Sequence, residues 1–386
     1  MLEKLDPKLL DSISILDKDK KIKCLVSYNN FNYITSFLNN NEFSYYRNFP
    51  FINSFAIETN SSNLLKLARL DFVSYIASNS NVFAQVNVAR KIIGIDNLST
   101  SNSSNFSCAI IDTGIYPHMD FMLGENKIIA FKDFVGNKEL MYDDNGHGTI
   151  VAGILSGYGY ISGKKYKGID NNLKLVVIKA LNENGEAGAV GILEAMQWVL
   201  DNKDRYNIKI VCMSFGSTVL DRNDPLIAGA EVLWDNGIIV VSACGNSGPE
   251  KETIKSPSAS PKIIAVGAMD DERNGESFNE NKFRVAEFSS RGPILNNYKP
   301  DLVVSGVEIN SCANFALSKS FYTKTSGTSV ATPIVAGVCS LILRKNPNLT
   351  PNEVKQILIK SCVPINGDRN AEGHGWLNLR NYFSNS

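Results

Sequence analysis

The hydrophobic and polar positions fall into two regimes. Between residues 21 and 83 the apolar runs are short and broken by polar turns. Residues 22–28 (IKCLVSY) read as a strand, 32–38 as a short helix, and 44–52 and 54–59 as two strands joined tightly at Asn53. Residues 61–70 put Leu64, Leu65, Leu67 and Ala68 on one helical face, and 72–77 give a last strand. This β-α-β-β-α-β order predicts a ferredoxin-like α+β unit behind a polar lead-in over residues 1–20. A linker at 78–86 is extended in character and poor in helix formers. After it the spacing predicts a short helix over 88–93 and a Ser/Asn loop over 99–104.

Beyond the linker the apolar runs no longer alternate. Residues 108–111, 173–180, 208–213, 238–242 and 263–266 read as strands; 147–155, 192–200 and 226–234 read as helices. Unbroken apolar strands are those buried on both faces, so the expected fold is α/β, a doubly wound, mainly parallel sheet with right-handed crossovers. The domain boundary falls in the linker, giving 1–85 and 86–386. In such sheets a site gathers at the C-terminal strand ends. Asp112, Ser214 and the run Cys244-Gly245-Asn246 fall there.

The stretch 325–343, TSGTSVATPIVAGVCSLIL, passes from a flexible turn straight into an apolar helix. Ser329 therefore sits at a helix start, with free N–H groups and the positive dipole end beside it. Pro333 is expected in the first turn, where no N–H bond is lost, and Gly337 where a neighbour packs closely. Alone, the stretch would equally serve as a helix start in any α/β protein.

Composition narrows the field. Lys+Arg and Asp+Glu are both 39, so charge does not favour nucleic acid or an anionic membrane. There is no apolar run long enough for a membrane span, and the N-terminal MLEKLDPKLLDSISILDKDKK lacks the apolar core of a secretory signal. Seven scattered cysteines form no CxxC pair, which argues against zinc and for a reducing, cytoplasmic location.

The chemistry lies in three glycine-rich termini. Asp112 ends the strand IIDTG, His147 starts a helix in DNGHGT between Gly146 and Gly148, and Ser329 starts another. The chain has only three histidines, His118, His147 and His374. Ser329 would attack a carbonyl, His147 would act as base and then acid, and Asp112 would fix the imidazole tautomer.

These residues resemble the subtilisin-like (subtilase) serine peptidases over nearly all of 88–382. The matching motifs are IIDTG, GHGTIVAG, SGTSVATP, SFG at 214–216, ACGNSG at 243–248 and FSSRGP at 288–293. The order Asp, His, Ser is the one subtilisins use. The resemblance implies that Asn246 donates to the oxyanion and that Ser214, Phe215 and Gly216 pair with the substrate backbone. Ala243, Gly245 and Lys255 would line the groove. Lys255 stands where relatives carry the floor of the pocket for the residue before the cut, often glycine. An ammonium there would favour acidic or hydrogen-bonding side chains, unless Lys255 points to solvent.

The resemblance also implies that residues 1–85 are a propeptide that assists folding, inhibits, and is cut off by the enzyme itself. The expected cut lies between Gln85 and Val86. Partners are then polypeptide substrates and the chain's own propeptide, and catalysis needs no cofactor. A structural calcium stays open. Asp120 matches a ligand position of secreted relatives, yet the loop 157–167 brings three lysines and no acids, and Asp143-Asp144 reads equally as a solvated turn. The pattern departs from the family at Ile150, where a second histidine is usual, and at Ser305-Gly306-Val307. An Asn- and Lys-rich composition suggests an AT-rich bacterial genome, where clostridial germination proteases are a precedent for a spore-associated role. A processing protease dedicated to one zymogen is an alternative. A pseudoprotease used as a binding protein is another, opposed by the intact Asp112, His147, Ser329 and Asn246.

Overall fold

Side-chain alternation in β1 (Ile22–Tyr28) sends Cys24 and Val26 to one face of a sheet and Leu25 to the other. This is a computed structural model, and it describes residues 4–6, 9, 21–40, 45–78, 81–84, 90–95, 98, 104–219, 221–272 and 278–384. After β1 come α1 (Phe31–Asn40), β2 (Tyr45–Phe49), β3 (Ser54–Thr59), α2 (Ser61–Ala68) and β4 (Val73–Ser78). The four strands form an antiparallel sheet in the order β2-β3-β1-β4, with Val26 opposite both Phe55 and Ile76. Ile34, Leu38, Leu64 and Leu67 from the two helices close one face around Cys24 and Val26. The strand predicted over 44–52 stops at Phe49. Pro50, which has no N–H for a ladder, opens a 3-10 turn, and Asn53 makes the corner at φ 49°.

Leu25, Phe49 and Ala56, on the other face, join the main core. They do so over α5 (Ala189–Asn202) and α6 (Pro225–Asp235), the helices against which β2 and the 3-10 turn pack. Among the described residues, side-chain contacts cross the same boundary from Arg47 Nε to Glu194 Oε1 at 2.7 Å and from Tyr75 OH, which donates to Asp221 Oδ2 at 2.5 Å. Next in the chain, β5 (Asn81–Ala84) leaves the first sheet altogether. The helix predicted over 88–93 is not found in its described part. Residues 90–94 form turns, and the Arg90 guanidinium donates to the carbonyls of Ile95 and Gly168 at 2.9 and 2.8 Å.

The large sheet uses β6 (Ser107–Asp112), β7 (Ile128–Asp133), β8 (Lys174–Lys179), β10 (Ile208–Met213), β12 (Ile239–Ala243), β14 (Ile264–Asp270), β16 (Leu302–Ser305) and β20 (Trp376–Leu377). These run parallel in the order β7-β8-β6-β10-β12-β14-β16-β20, with β15 (Arg284–Val285) and β19 (Cys362–Val363) added antiparallel. All six residues of β6 are buried, as an unbroken apolar run requires. Between these strands lie α3 (Met119–Met122) and α4 (His147–Ser156), while β17 (Ile309–Cys312), α7 (Phe315–Ser318) and β18 (Tyr322–Thr325) form a hairpin before α8 (Thr328–Lys345). Helix α8 covers β10, β12, β14 and β16 and packs along α4; α9 (Pro351–Lys360) follows it. A Cβ at Gly337 would lie 2.5 Å from the Ile169 Cβ, so the expected close approach is real. Pro333, by contrast, lies inside α8 and not in its first turn. Its missing N–H is the one that would have bonded the Ser329 carbonyl.

A third, antiparallel sheet has the order β13-β11-β5-β9, built from β13 (Lys255–Ser256), β11 (Phe215–Thr218), β5 and β9 (Ala187–Gly188). In it Gly216 faces Phe83, Phe215 faces Ala84, and Val82 faces Ala187.

Candidate active site

Asp112 is the last residue of β6 and fully buried. Its Oδ1 accepts from Thr113 N at 2.7 Å and lies 2.6 Å from His147 Nδ1. A carboxylate accepts only, so Nδ1 carries the proton and Nε2 is the basic nitrogen. Asp112 Oδ2 is buried without a hydrogen-bond partner among the described residues, which leaves the imidazole as the main outlet for its charge.

His147 opens α4, where Gly146 caps the helix at φ 98°. Gly148 must be glycine: a Cβ there would strike the Gly114 carbonyl oxygen at 2.1 Å. The two termini are held together by Asp143, which is buried and not part of a solvated turn. Its Oδ1 accepts from Thr113 Oγ1 (2.8 Å), Asn145 N (3.2 Å) and Gly146 N (2.7 Å). Its Oδ2 accepts from Thr149 N (2.9 Å) and Thr149 Oγ1 (2.6 Å). Lys179 braces the same corner from below. Fully buried, its Nζ donates to Thr113 O and Asp144 Oδ1, both at 2.6 Å, and to Leu181 O at 3.0 Å. Neither residue stood out in the sequence as part of the site. The signal available was the acid pair Asp143-Asp144, four and three residues before the histidine; nothing local marked Lys179.

Ser329 is the second residue of α8, and its buried Oγ makes no hydrogen bond among the described residues. Serine–imidazole bonds commonly form fully only around a seated substrate. Thr328 clamps the facing loop to the helix start: its N donates to Asn246 Oδ1 at 2.9 Å, and its Oγ1 accepts from Gly245 N at 3.2 Å. With its oxygen so engaged, Asn246 has its Nδ2 left as a donor, unused among the described residues. The site therefore holds an acid–imidazole pair, a serine at a helix N-terminus and an oriented amide donor, the parts that acyl transfer requires.

Ser214 is buried just before β11, Phe215 and Gly216 lie in that strand, and Ala243 is buried at the end of β12. Lys255 does not simply hang in solvent. A Cβ on Gly216 would lie 2.6 Å from the Lys255 Cβ, and one on Gly245 (φ 104°) would lie 2.4 Å from its Cγ. Its stem thus runs between these two backbones. Gln85 and Val86 lie outside the described residues. On the α4 side a cavity of about 400 Å³ is lined by His147, Ile150, Asn314, Leu317, Thr325 and Ser326.

The residues present do not fit a metal at Asp120. His118, Asp120 and Cys312 offer ligand atoms within 4.8 Å of one another, but each already has a protein partner. Asp120 accepts from Tyr322 OH (2.9 Å) and Gly159 N (2.7 Å); His118 Nδ1 accepts from Asp120 N, and its Nε2–H donates to Phe321 O. Burial pushes the Cys312 thiol well above its ordinary value, so it remains a thiol.

The chain is similar to known proteins. The Subtilase family pattern matches residues 103–376. The chain is 40% identical to the serine protease AprX of Bacillus subtilis over 307 residues, covering 74% of this chain and 68% of that one. It is 32% identical to subtilisin DY of Bacillus licheniformis over 279 residues, 72% of this chain and 90% of that one. Among solved structures, fervidolysin of Fervidobacterium pennivorans, a keratinolytic enzyme related to subtilisin, aligns with a TM-score of 0.71 at 20% identity. That alignment covers 94% of this chain, which spans 60% of that one. Sphericase aligns with a TM-score of 0.62 at 26% identity, covering 76% and 98%. The chain belongs to the subtilase family and is a subtilisin-like serine endopeptidase.

Proposed function

We propose that the chain is an autoprocessed zymogen that cuts polypeptides through an acyl-enzyme on Ser329. Ser329 Oγ attacks the scissile carbonyl while His147 Nε2 takes its proton; Asp112 holds the imidazole and offsets its charge. Asn246 Nδ2 and the N–H groups at the start of α8 receive the oxyanion. The C–N bond then breaks, the proton passes from Nε2 to the leaving amine, and water releases the acyl group by the same steps.

The observation that carries the zymogen reading is the position of β5. Residues 81–84 form a strand between β11 and β9, antiparallel to the segment that follows Ser214. Strand addition of this kind is how an extended peptide gains affinity without sequence preference. The described strand ends at Ala84 opposite Phe215, one residue after Ser214, which supports a cut soon after it, at Gln85. Residues 1–85 would then be the inhibitor and 86–386 the enzyme. The Lys255 stem between Gly216 and Gly245 supports a pocket that favours Glu, Gln or Asp before the cut. Seven free thiols support a reducing compartment, the cytoplasm, as the place of action.

The test is the intact mass of the purified chain beside its Ser329→Ala variant. Loss of an N-terminal fragment ending at Gln85 from the wild type alone supports the reading. If both remain whole, and neither is labelled by a fluorophosphonate after limited trypsin treatment, it fails. Peptides with Glu, Gln or Phe before the cut test the pocket, and a clear preference for Phe rules out the role of Lys255.

A further inference from the structure

Three charged residues stand in one row across the C-terminal edge of the large sheet. Asp133 of β7 is in register with Lys179 of β8, and Lys179 with Asp112 of β6. In-register residues on strands about 4.8 Å apart face the same side of a sheet, so the Lys179 side chain runs next to that of Asp112. It does not bond it. An ammonium has three protons, and those of Lys179 Nζ go to Thr113 O, Asp144 Oδ1 and Leu181 O. Among the described residues, the side chain that meets the Asp112 carboxylate is the His147 imidazole. A positive charge therefore sits beside the acid–imidazole pair without competing for its hydrogen bond.

That charge is poorly screened. Lys179 is fully buried, whereas the Asp144 side chain is 38% exposed, so water weakens the field of the carboxylate more than that of the ammonium. The other ionisable groups of the corner have partners of their own or stay neutral. Asp133 accepts from Val135 N, Gly136 N, Lys138 N and Tyr142 OH, and Asp143 holds the donors of Thr113 and Thr149. Burial pushes up the Tyr142 hydroxyl, whose ring lies 4.9 Å from Lys179 Nζ, and the Cys212 thiol of β10. Glu183 is exposed, and Lys138 Nζ lies 4.1 Å from the Tyr142 ring. On the cleft side the cavity wall of Ile150, Asn314, Leu317, Thr325 and Ser326 carries no ionisable side chain.

Two buried carboxylates, Asp112 and Asp143, favour a proton on the imidazole, and a protonated imidazole is no base. A positive charge nearby opposes this. We propose that Lys179 is a positioning residue that acts through space: its buried ammonium keeps the His147 imidazole uncharged, and ready to take the Ser329 proton, down to a lower pH than the carboxylates alone would allow. Asp144, paired with that ammonium, sets how far. The proposal rests on the reading of His147 as the base.

The test follows kcat/KM for a peptide anilide, and the rate of fluorophosphonate labelling, from about pH 5 to 9 at low ionic strength in the processed enzyme. The acid limb of these profiles reports the base in the free enzyme. A unit charge about 10 Å away at an effective dielectric constant of about 20 moves such a limb by roughly one pH unit. Lys179→Met, and Lys179→Gln, which keeps a donor for the carbonyls but no charge, should both move the limb up by about half to one unit. Asp144→Asn keeps an acceptor for Lys179 Nζ and sits at the surface, and it should move the limb down by several tenths of a unit. The double variant Asp144→Asn, Lys179→Gln should fall between the two. A mechanical brace predicts a lower kcat with the limb in place. Limbs within about 0.2 unit of wild type in these variants, or an upward move in Asp144→Asn, overturn the proposal and leave the base assignment standing. Hydrolysis that survives in His147→Ala removes that assignment and the proposal with it.

Discussion

Asp143 accepts the Thr113 hydroxyl at 2.8 Å on one carboxylate oxygen and the amide and hydroxyl of Thr149 on the other. Thr113 follows Asp112 and Thr149 lies two residues past His147, so one buried carboxylate sets the distance between strand end and helix start. Asp143→Asn keeps the shape but turns an acceptor into a donor facing donors. Each lost buried bond costs about 1–3 kcal/mol. The expected outcome is a fall in kcat of about 10- to 100-fold with KM nearly unchanged, since small misplacements of catalytic groups act on the chemical step. A kcat within twofold of wild type in a folded variant refutes the positioning role.

Asn246 is fixed through its oxygen by Thr328 N, so if it receives the oxyanion as proposed, its amide donor needs no reorganisation. Asn246→Ala should lower kcat on the order of 10²–10³, the size found when the oxyanion amide of a subtilisin is removed. KM should change little. Steady-state kinetics on a peptide ester or anilide checks this, and a loss confined to KM contradicts the assignment.

The acid and histidine elements were legible because their physics is local. An unbroken apolar run ending in Asp112, and glycines around His147, declare a buried strand end and an open helix start. The first sheet was legible from its short alternating strands. What stayed hidden depends on distant partners. Strands β9 and β13 are two residues long and exist only through pairing across the chain. Lys127, Lys179, Lys299 and Lys355 look like solvated charges in sequence, because nothing next to them records the carbonyls they meet. Pro333 misled for the opposite reason: local rules place proline in a first turn, whereas here it lies deeper in α8, where its missing N–H leaves the Ser329 carbonyl without its helical donor.

On the zymogen reading, the side-chain contacts Tyr75–Asp221 and Arg47–Glu194 across the prodomain boundary should differ in weight. Tyr75 is buried, and its hydroxyl donates to a carboxylate, a bond of about 1.5–3 kcal/mol. Arg47 is 49% exposed, and its pair with Glu194 belongs to the class of about 0–1 kcal/mol. Tyr75→Phe should therefore speed release of the cut prodomain roughly ten- to a hundredfold, and Arg47→Ala at most severalfold. The lag before full peptidase activity in progress curves measures this. Equal effects, or a larger one from Arg47→Ala, contradict the ranking.

Stability should pass through a maximum between about pH 8 and 9. Burial pushes Lys127 down to about 7 and Lys299 down to about 8, from an ordinary value of 10.5. Between those values and 10.5 the unfolded chain binds protons that the folded chain does not, so stability rises with pH from about 7. Burial of the thiols works the other way. Cys24, Cys108, Cys212, Cys244, Cys312, Cys339 and Cys362 are all raised above the ordinary 9.0, so above that pH the unfolded chain releases protons the folded one keeps, and stability falls. Urea midpoints of the Ser329→Ala chain at pH 7, 8.5 and 10 should be low, high and low. Lys127→Met should flatten the rise and leave the fall. A midpoint that declines steadily from pH 7 means that the buried lysines keep their ordinary affinity for protons.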